Sequence, residues 1–493
     1  MSTQWITRFP AEVLFLTIGA INDRNDLLSL ALTCRFISQL IIPDKIKYFR
    51  ISSLIENPNL WDQLLKNLYL CKGTHEFELT DGIHVIPLER WFRNLNNPIY
   101  TTIVYDSLPK IIRNMVNLSR VKFSWRNTNL ETLWKFLDAL GDSGCRLEEF
   151  DLFLDISHSM LVVGSELWMK KLEEPRIWTK FDRTALQKLS IRTTISLGGT
   201  GYWPIPVNWV GNILSDTPRL THLSLSIQHI TPSANLFDYT WPNLENLIIN
   251  NGSIFSRPAQ PQSKPKFSDF FKRHPTLTTL SLPYNIYRFS NFPDITVECL
   301  PNLASFAYDG LPRFPSSLVL SPVSARRLRH LTICDNAAAL QSRDNMNIYK
   351  ELTSLQTLCF TVNAHGSNYK NIDEILEILA VHATGLQKIH LPTDETPLTS
   401  YYTTLSILQR FPKLTHLSGI WAYNIDDRDP LLQELYQCRQ LEYAIHVGHD
   451  NTPHVFRLVR EFEHEDKCML VEVDAERNPN CDMRTWGGFY KKI

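Results

Sequence analysis

The sequence predicts an α/β fold: a small all-helical unit at the N-terminus followed by a curved solenoid of strand, loop and helix repeats, with a parallel sheet on its inner wall. Three observations carry that expectation. A leucine-patterned string returns at a steady interval through most of the chain, several of these strings follow a Pro-x-Leu lead-in, and the chain opens on a dense apolar helical stretch.

The strings are LSRVKF from Leu118, LEEFDL from Leu147, LQKLSI from Leu186, LTHLSL from Leu220, LENLII from Leu244 and LTTLSL from Leu277. They continue as LASFAY from Leu303, LRHLTI from Leu328, LQTLCF from Leu355, LQKIHL from Leu386, LTHLSG from Leu414 and LEYAIH from Leu441. Their spacing, roughly 29 residues, falls in the range of leucine-rich repeats. Each reads as a short strand whose alternate side chains face one core. Pro218, Pro242, Pro275, Pro301 and Pro412 each stand two residues before the first leucine, where proline ends what precedes it and biases its neighbour towards extended backbone. What precedes is helical in pattern: VNWVGNILSD, FSDFFKRH, TTLSILQRF, and the stripes Leu133, Phe136, Leu137, Leu140 and Ile372, Ile375, Leu376, Leu379. Asn285, Asn336, Asn363, Asp155 and Asp394 hold the ninth repeat position, where a polar side chain can satisfy backbone groups at the bend.

The array is expected to begin earlier in degenerate form, with YFRI at Tyr48–Ile51, the helix-like LWDQLLKNLYL, and HEFEL at His75–Leu79. Longer intervals after Leu147, Leu186 and Leu244 place extra surface residues there. The proline-rich 251–266 reads as a loop, and Gly198, Gly199 and Gly201 as a flexible turn, since the lysine and spacing of a phosphate-binding loop are missing. The expected domains are 1–45, 46–116, 117–450 and 451–493: helical unit, degenerate repeats, solenoid and C-terminal cap.

The opening stretch, FPAEVLFLTIGAI, has proline and an acidic residue where a helix begins, favourable for the missing N–H and for the helix dipole. Leu27, Leu30, Ala31 and Cys34 then recur with helical spacing, Leu28, Leu32 and Ile37 form a second stripe, and Pro43 stops the run. So small a unit cannot bury both stripes alone; it packs on the rest of the chain or offers an apolar face to a partner.

The segment FPAEVLFLTIGAI…DLLSLALTCRFISQL resembles an F-box, through Phe9, Pro10, Glu12, Val13, Leu14, Ile18, Asp26, Leu27, Leu30, Cys34, Arg35 and Phe36. It departs at Phe9 and Phe36, where the family most often has leucine and tryptophan. The combination with irregular leucine-rich repeats is similar to fungal F-box proteins. The resemblance implies that Phe9, Pro10, Glu12, Val13, Leu14, Ile18, Leu27, Leu30, Cys34 and Phe36 bind a Skp-family adaptor, and through it a cullin. The chain would then be the substrate-recognition subunit of an SCF-type ubiquitin ligase, itself no enzyme. Alternatives are an F-box protein paired with the adaptor alone, and a secreted repeat protein in which residues 1–20 are a signal peptide and Asn117 and Asn251 begin sequons.

In the repeats, outward strand positions are the expected target-binding surface: His222, Ser224, His330, Thr332, Thr357, Cys359, Lys388, His390, His416 and Ser418. Small polar residues also suit a crowded parallel sheet without binding anything. The groove reads as near-neutral at pH 7, gaining charge at lower pH through its four histidines.

Composition narrows the remaining classes. Lysine plus arginine number 50 against 51 acidic residues, so no general attraction to nucleic acid or an anionic membrane is expected. The nine cysteines are odd in number and never spaced CxxC, fitting neither a disulfide framework nor a zinc ribbon; a reducing compartment, cytoplasm or nucleus, is expected. No run approaches a membrane span. No GxSxG, HExxH or kinase signature is present. Glu463, His464, Glu465, Asp466, Cys468 and Cys481 read as a solvated charged face rather than a metal site, and RTWGGFYKKI as a tail strand or cap. No cofactor and no metal are expected.

Overall fold

A computed structural model describes residues 9–19, 21, 24–42, 49–54, 57–80, 106–126, 130–157, 182–196, 205–206, 213–227, 230–231, 239–250, 267–282, 299–308, 322–334, 343–361, 369–391, 399–419, 434–435, 437–447, 453–460 and 468–473. The chain divides into two compact units, Met1–Asn243 with Gly252–Pro258, and Leu244–Asn251 with Ala259–Ile493, a division the repeat spacing does not announce.

The first unit opens with helices α1 (Ala11–Gly19), α2 (Arg24–Ala31) and α3 (Arg35–Ile41). The Pro10 carbonyl accepts from the Val13 and Leu14 amides, so α1 starts where the proline predicts. Leu14, Ile18, Leu27, Ala31, Ile37 and Ile41 form one buried cluster with Phe49, which immediately precedes the first strand. The helical unit thus closes part of its surface against the repeat array.

Strands β1 (Arg50–Leu54), β2 (Glu76–Thr80), β3 (Arg120–Arg126), β4 (Glu149–Ser157) and β5 (Lys188–Ser196) follow, with β6 (Ile205–Pro206), β7 (His222–Ile227) and β8 (Ile230–Thr231). β1 to β5 and β7 pair in parallel, one strand per repeat, while β6 and β8 form a separate short pair. Between strands lie α4 (Pro58–Lys66), α5 (Leu108–Arg113) and α6 (Leu130–Asp142). Asn57 caps α4, its side chain accepting from the Leu60 amide at 3.3 Å, with Pro58 in the first turn where no amide is needed. Ile51, Phe77, Val121, Phe150, Leu189 and Leu223 align in register as one buried row. Helix side chains fill the space behind it: Trp61 meets Phe77 edge-on at 6.4 Å, and Phe136 meets Phe123 at 4.3 Å.

The second unit continues the pattern with β9 (Asn246–Asn250), α7 (Phe267–Arg273), β10 (Thr279–Leu282), β11 (Ser305–Tyr308), α8 (Pro322–Arg327), β12 (His330–Cys334) and α9 (Arg343–Glu351). Then come β13 (Thr357–Thr361), α10 (Tyr369–His382), β14 (Lys388–His390), α11 (Thr399–Leu408), β15 (His416–Ser418) and β16 (Tyr443–Val447). β9 to β16 are parallel neighbours in sequence order, with Leu247, Leu280, Phe306, Leu331, Leu358, Ile389, Leu417 and Ala444 as their buried row. The helices α9, α10 and α11 pack side by side. Beyond β16 the direction reverses: β17 (Pro453–Arg460) and β18 (Cys468–Val473) are antiparallel, so the expected C-terminal cap includes a strand pair.

One turn recurs before the strands. The amides of Leu118, Leu220, Leu277, Leu303, Leu328, Leu355, Leu386, Leu414 and Leu441 each donate to the carbonyl three residues back, at 2.9–3.4 Å. Pro218, Pro275, Pro301 and Pro412 occupy the second residue of such turns, where a fixed φ is an advantage and no amide is required. One strand per strand–helix repeat, aligned leucine rows and this turn constitute a leucine-rich-repeat arrangement.

Several sequence expectations fall outside the described residues: Asn285, Asn336, Asn363 and Asp394, the loop 251–266, the turn at Gly198, Gly199 and Gly201, residues Glu463, His464, Glu465, Asp466 and Cys481, and the tail RTWGGFYKKI. Asp155 falls within β4 and Cys468 begins β18.

Candidate protein-interaction surfaces

The helical unit has two apolar sides. Of the residues expected to bind an adaptor, Phe9, Pro10, Val13 and Phe36 are exposed and Leu30 and Cys34 half-buried. Leu14, Ile18 and Leu27 differ from these: they are buried in the cluster around Phe49, where α1 and α2 place them in the chain's own core. Glu12 lies in α1, and its side chain is outside the described residues. Also exposed are residues that the motif does not single out, Leu16 at 76% and Leu32 at 77% exposure, with Leu28 and Ile42. Large apolar side chains exposed in such number on a short helical unit make it a candidate interaction surface.

On the repeats, the outward positions align as two rows. In the second unit the third strand positions run Asn246, Thr279, Ser305, His330, Thr357, Lys388, His416, Tyr443, and the fifth run Ile248, Ser281, Ala307, Thr332, Cys359, His390, Ser418, Ile445. The ten expected target-binding residues therefore do fall on one face of their strands, with His222 and Ser224 on β7 of the first unit. Access to them differs. Thr332, Thr357, Cys359, His390, His416 and Ser418 are buried, leaving His222, Ser224, His330 and Lys388 half-exposed. His390 Nδ1 lies 2.8 Å from Ser418 Oγ, and the His416 ring stacks on Tyr443 at 4.9 Å. These are packed interior contacts rather than an open groove.

Two of the four histidines on this face resist taking up charge in mild acid. Burial pushes the His390 imidazole down to about 3. Burial, with Lys388 and Arg329 nearby, also holds His330 below the usual histidine value. In the repeat turn, burial lowers His274, whose Nδ1–H donates to the Phe270 carbonyl at 2.6 Å. These rings take up protons less readily in the folded chain than in the unfolded one, whose histidines titrate near pH 6.5, so stability present above that pH is lost as pH falls. The thermal midpoint is expected to drop continuously between pH 6.5 and pH 4 in a scanning fluorescence series. A flat profile over that range would contradict the burial of these rings.

The first unit's face is of another kind, charged where the second unit's is mostly small and polar. Its third positions are Arg50, Glu76, Arg120, Glu149, Lys188 and His222, and its fifth Ser52, Glu78, Lys122, Asp151, Ser190 and Ser224. Charges alternate across the strands, which avoids like charges at strand spacing. Glu76 lies 3.8 Å from Arg50 and 3.0 Å from Arg120; Glu149 lies 3.8 Å from Arg120 and 2.6 Å from Lys188. Glu78 accepts from Arg50, Ser52 and Lys122. Burial pushes its carboxyl up, but the Lys122 and Arg50 hydrogen bonds outweigh that and hold it below the usual carboxylate range. The signal was available: LSRVKF, LEEFDL and LQKLSI place charged residues at the same offsets that pick out His222 or His330.

Cys71, Cys145, Cys299, Cys359 and Cys438 are buried free thiols, and Cys34 a half-buried one. Burial pushes the Cys71 thiol up to about 11, which suppresses its thiolate. Among the described residues, no helix is long and apolar enough to cross a membrane, and no three or more His, Cys, Asp or Glu side chains converge on a possible metal position.

These features define an α/β leucine-rich-repeat protein with a small helical unit at its N-terminal end. No family model and no curated protein matches the sequence. Among solved structures the chain is similar to the leucine-rich repeat-containing protein LegL7 from Legionella pneumophila, with 13% sequence identity and a TM-score of 0.32, over 78% of this chain and 96% of that chain. The repeat assignment stands on this chain's own register and turns.

Proposed function

We propose that this protein is the substrate-recognition subunit of an SCF-type cullin ubiquitin ligase, with α1–α3 as an F-box docking a Skp-family adaptor and the repeats holding the target. The observation that carries the reading is the two-sided helical unit. Leu14, Ile18 and Leu27 close its inner side, while Phe9, Val13, Leu16, Leu28, Leu32, Phe36 and Ile42 remain outside in a segment with the F-box pattern. Such a ligase subunit needs no catalytic residue of its own. It holds a target lysine near a ubiquitin thioester carried by a separate enzyme, and the acceleration comes from effective concentration. A secreted protein that lost residues 1–20 would also lose Leu14 and Ile18 from the helical core, which weighs against that alternative. The cytoplasm or nucleus is the compartment this function requires.

The test is a pull-down of the full chain for bound adaptor and cullin, against Leu16→Asp combined with Leu32→Asp. Both side chains are exposed, so the variant is expected to keep the wild-type melting midpoint. Each apolar side chain that an adaptor covers contributes about 1.5–3 kcal/mol, and two such losses weaken binding by at least about a hundredfold. Adaptor captured equally by both proteins, or by neither, sinks the F-box reading. Adaptor captured without cullin favours the module that pairs with the adaptor alone.

A further inference from the structure

The alternating charges of the first unit stop unevenly at β5. Lys188 and Arg192 have carboxylates on the β4 side, with Lys188 Nζ 2.6 Å from Glu149 and an Arg192 guanidinium nitrogen 3.3 Å from Asp151. On the other side β7 offers His222, Ser224 and Ser226 in the same positions, none of them acidic. Arg192 lies over the Phe153 ring, 5.4 Å from its centroid, and its Nε is shielded from solvent without a hydrogen-bond partner. Two residues back on the same face, Ser190 Oγ is likewise shielded and unpartnered. Unused, desolvated donors are costly unless an acceptor meets them, and a planar guanidinium is matched by a carboxylate. Across β1 to β4 and at Lys188 the carboxylates are withdrawn relative to the cations: Glu76, Glu78 and Glu149 are 17–31% exposed and Arg50, Arg120, Lys122 and Lys188 48–52%, while Arg192 and Asp151 are alike at 24% and 27%.

We infer that the β5 face, built from Lys188, Ser190 and Arg192 with Phe153 beneath the guanidinium, receives a carboxylate side chain of an acidic protein segment. The inference rests on the protein-recruiting reading of the repeats but not on ubiquitin ligation. It moves target recognition from the buried rows of the second unit to the first. A polyphosphate backbone fits this surface less well, because Glu76, Glu78, Glu149 and Asp151 would repel charges placed at regular intervals across the strands.

The experiment is fluorescence anisotropy of the full chain with labelled oligoglutamate, oligoglutamine and a single-stranded oligonucleotide, at two salt concentrations. Saturable, salt-sensitive binding of oligoglutamate alone is expected, weakened about tenfold by Arg192→Gln and by Lys188→Gln and unchanged by Arg410→Gln, an exposed cation of the second unit. Lys188→Gln keeps the test open should Arg192→Gln fail to fold. The inference is overturned if the wild type ignores oligoglutamate, binds oligoglutamine or the oligonucleotide as tightly, or if the β5 variants bind like wild type. Adaptor capture in the pull-down is read separately, so loss of one result leaves the other standing.

Discussion

Gly419→Ala is expected to destabilise the second unit by about 3–5 kcal/mol, seen as a lower urea midpoint by circular dichroism. Gly419 follows β15 with φ at +91°, a conformation L side chains rarely adopt, and a Cβ there would sit 1.8 Å from the Leu391 carbonyl oxygen and 2.7 Å from its carbon. The backbone has little freedom to withdraw. The Leu391 amide donates to the Ser418 carbonyl at 2.8 Å, and the Gly419 amide to Ile445 at 3.3 Å, so retreat from one neighbour breaks a bond to another. Gly385→Ala is the control: the nearest atom to its added Cβ is the Leu355 carbonyl oxygen at 3.7 Å, and its φ is ordinary. It is expected to be neutral or slightly stabilising, because alanine narrows the unfolded ensemble. A Gly419→Ala protein within about 1 kcal/mol of wild type would contradict the close approach of the two turns.

Trp241→Ala is expected to cost the first unit about 3–5 kcal/mol. Trp241 is buried, stacks with Tyr239 at 5.7 Å, and donates from Nε1 to Thr217 Oγ1 at 3.1 Å. Thr217 Oγ1 in turn donates to the Leu214 carbonyl at 3.1 Å, in the turn that admits the chain to β7. Truncation opens a ring-sized cavity and strips an acceptor's partner inside it. Trp241→Phe keeps most of the volume and loses the hydrogen bond, so a smaller loss of about 1–2 kcal/mol is expected. Equal losses for the two variants would show that the hydrogen bond, rather than the packing, dominates.

Gly419 illustrates what a repeat pattern can and cannot convey. In LTHLSG the sixth position holds glycine where LQKIHL has Leu391, a visible irregularity. Its reason, a neighbouring backbone almost in contact, involves a residue one repeat away. Helix α1 makes the same point. Val13, Leu14, Phe15, Leu16 and Ile18 are all apolar, so no stripe separates inside from outside, and the F-box pattern puts Leu14 among the expected contacts. Only the packing of α2, α3 and Phe49 directs Leu14 inwards and leaves Leu16 exposed. The charged face of the first unit could have been read directly, since its residues occupy offsets already in use.

The sequence alone determined the repeat length, the strands and the row each side chain joins, because a two-residue alternation along a strand and a fixed turn before it are local properties. It also determined that helices separate most strands, through the spacing of apolar residues. Tertiary structure decided which polar-face residues remain accessible: His390 and Ser418 are shut in, while Arg120 and Lys188 are open. It decided which charges are compensated and where the compensation stops, at Ser190 and Arg192. Burial and charge pairing depend on side chains about one repeat apart being brought to strand spacing, roughly 4.8 Å, and no window along the chain contains both partners.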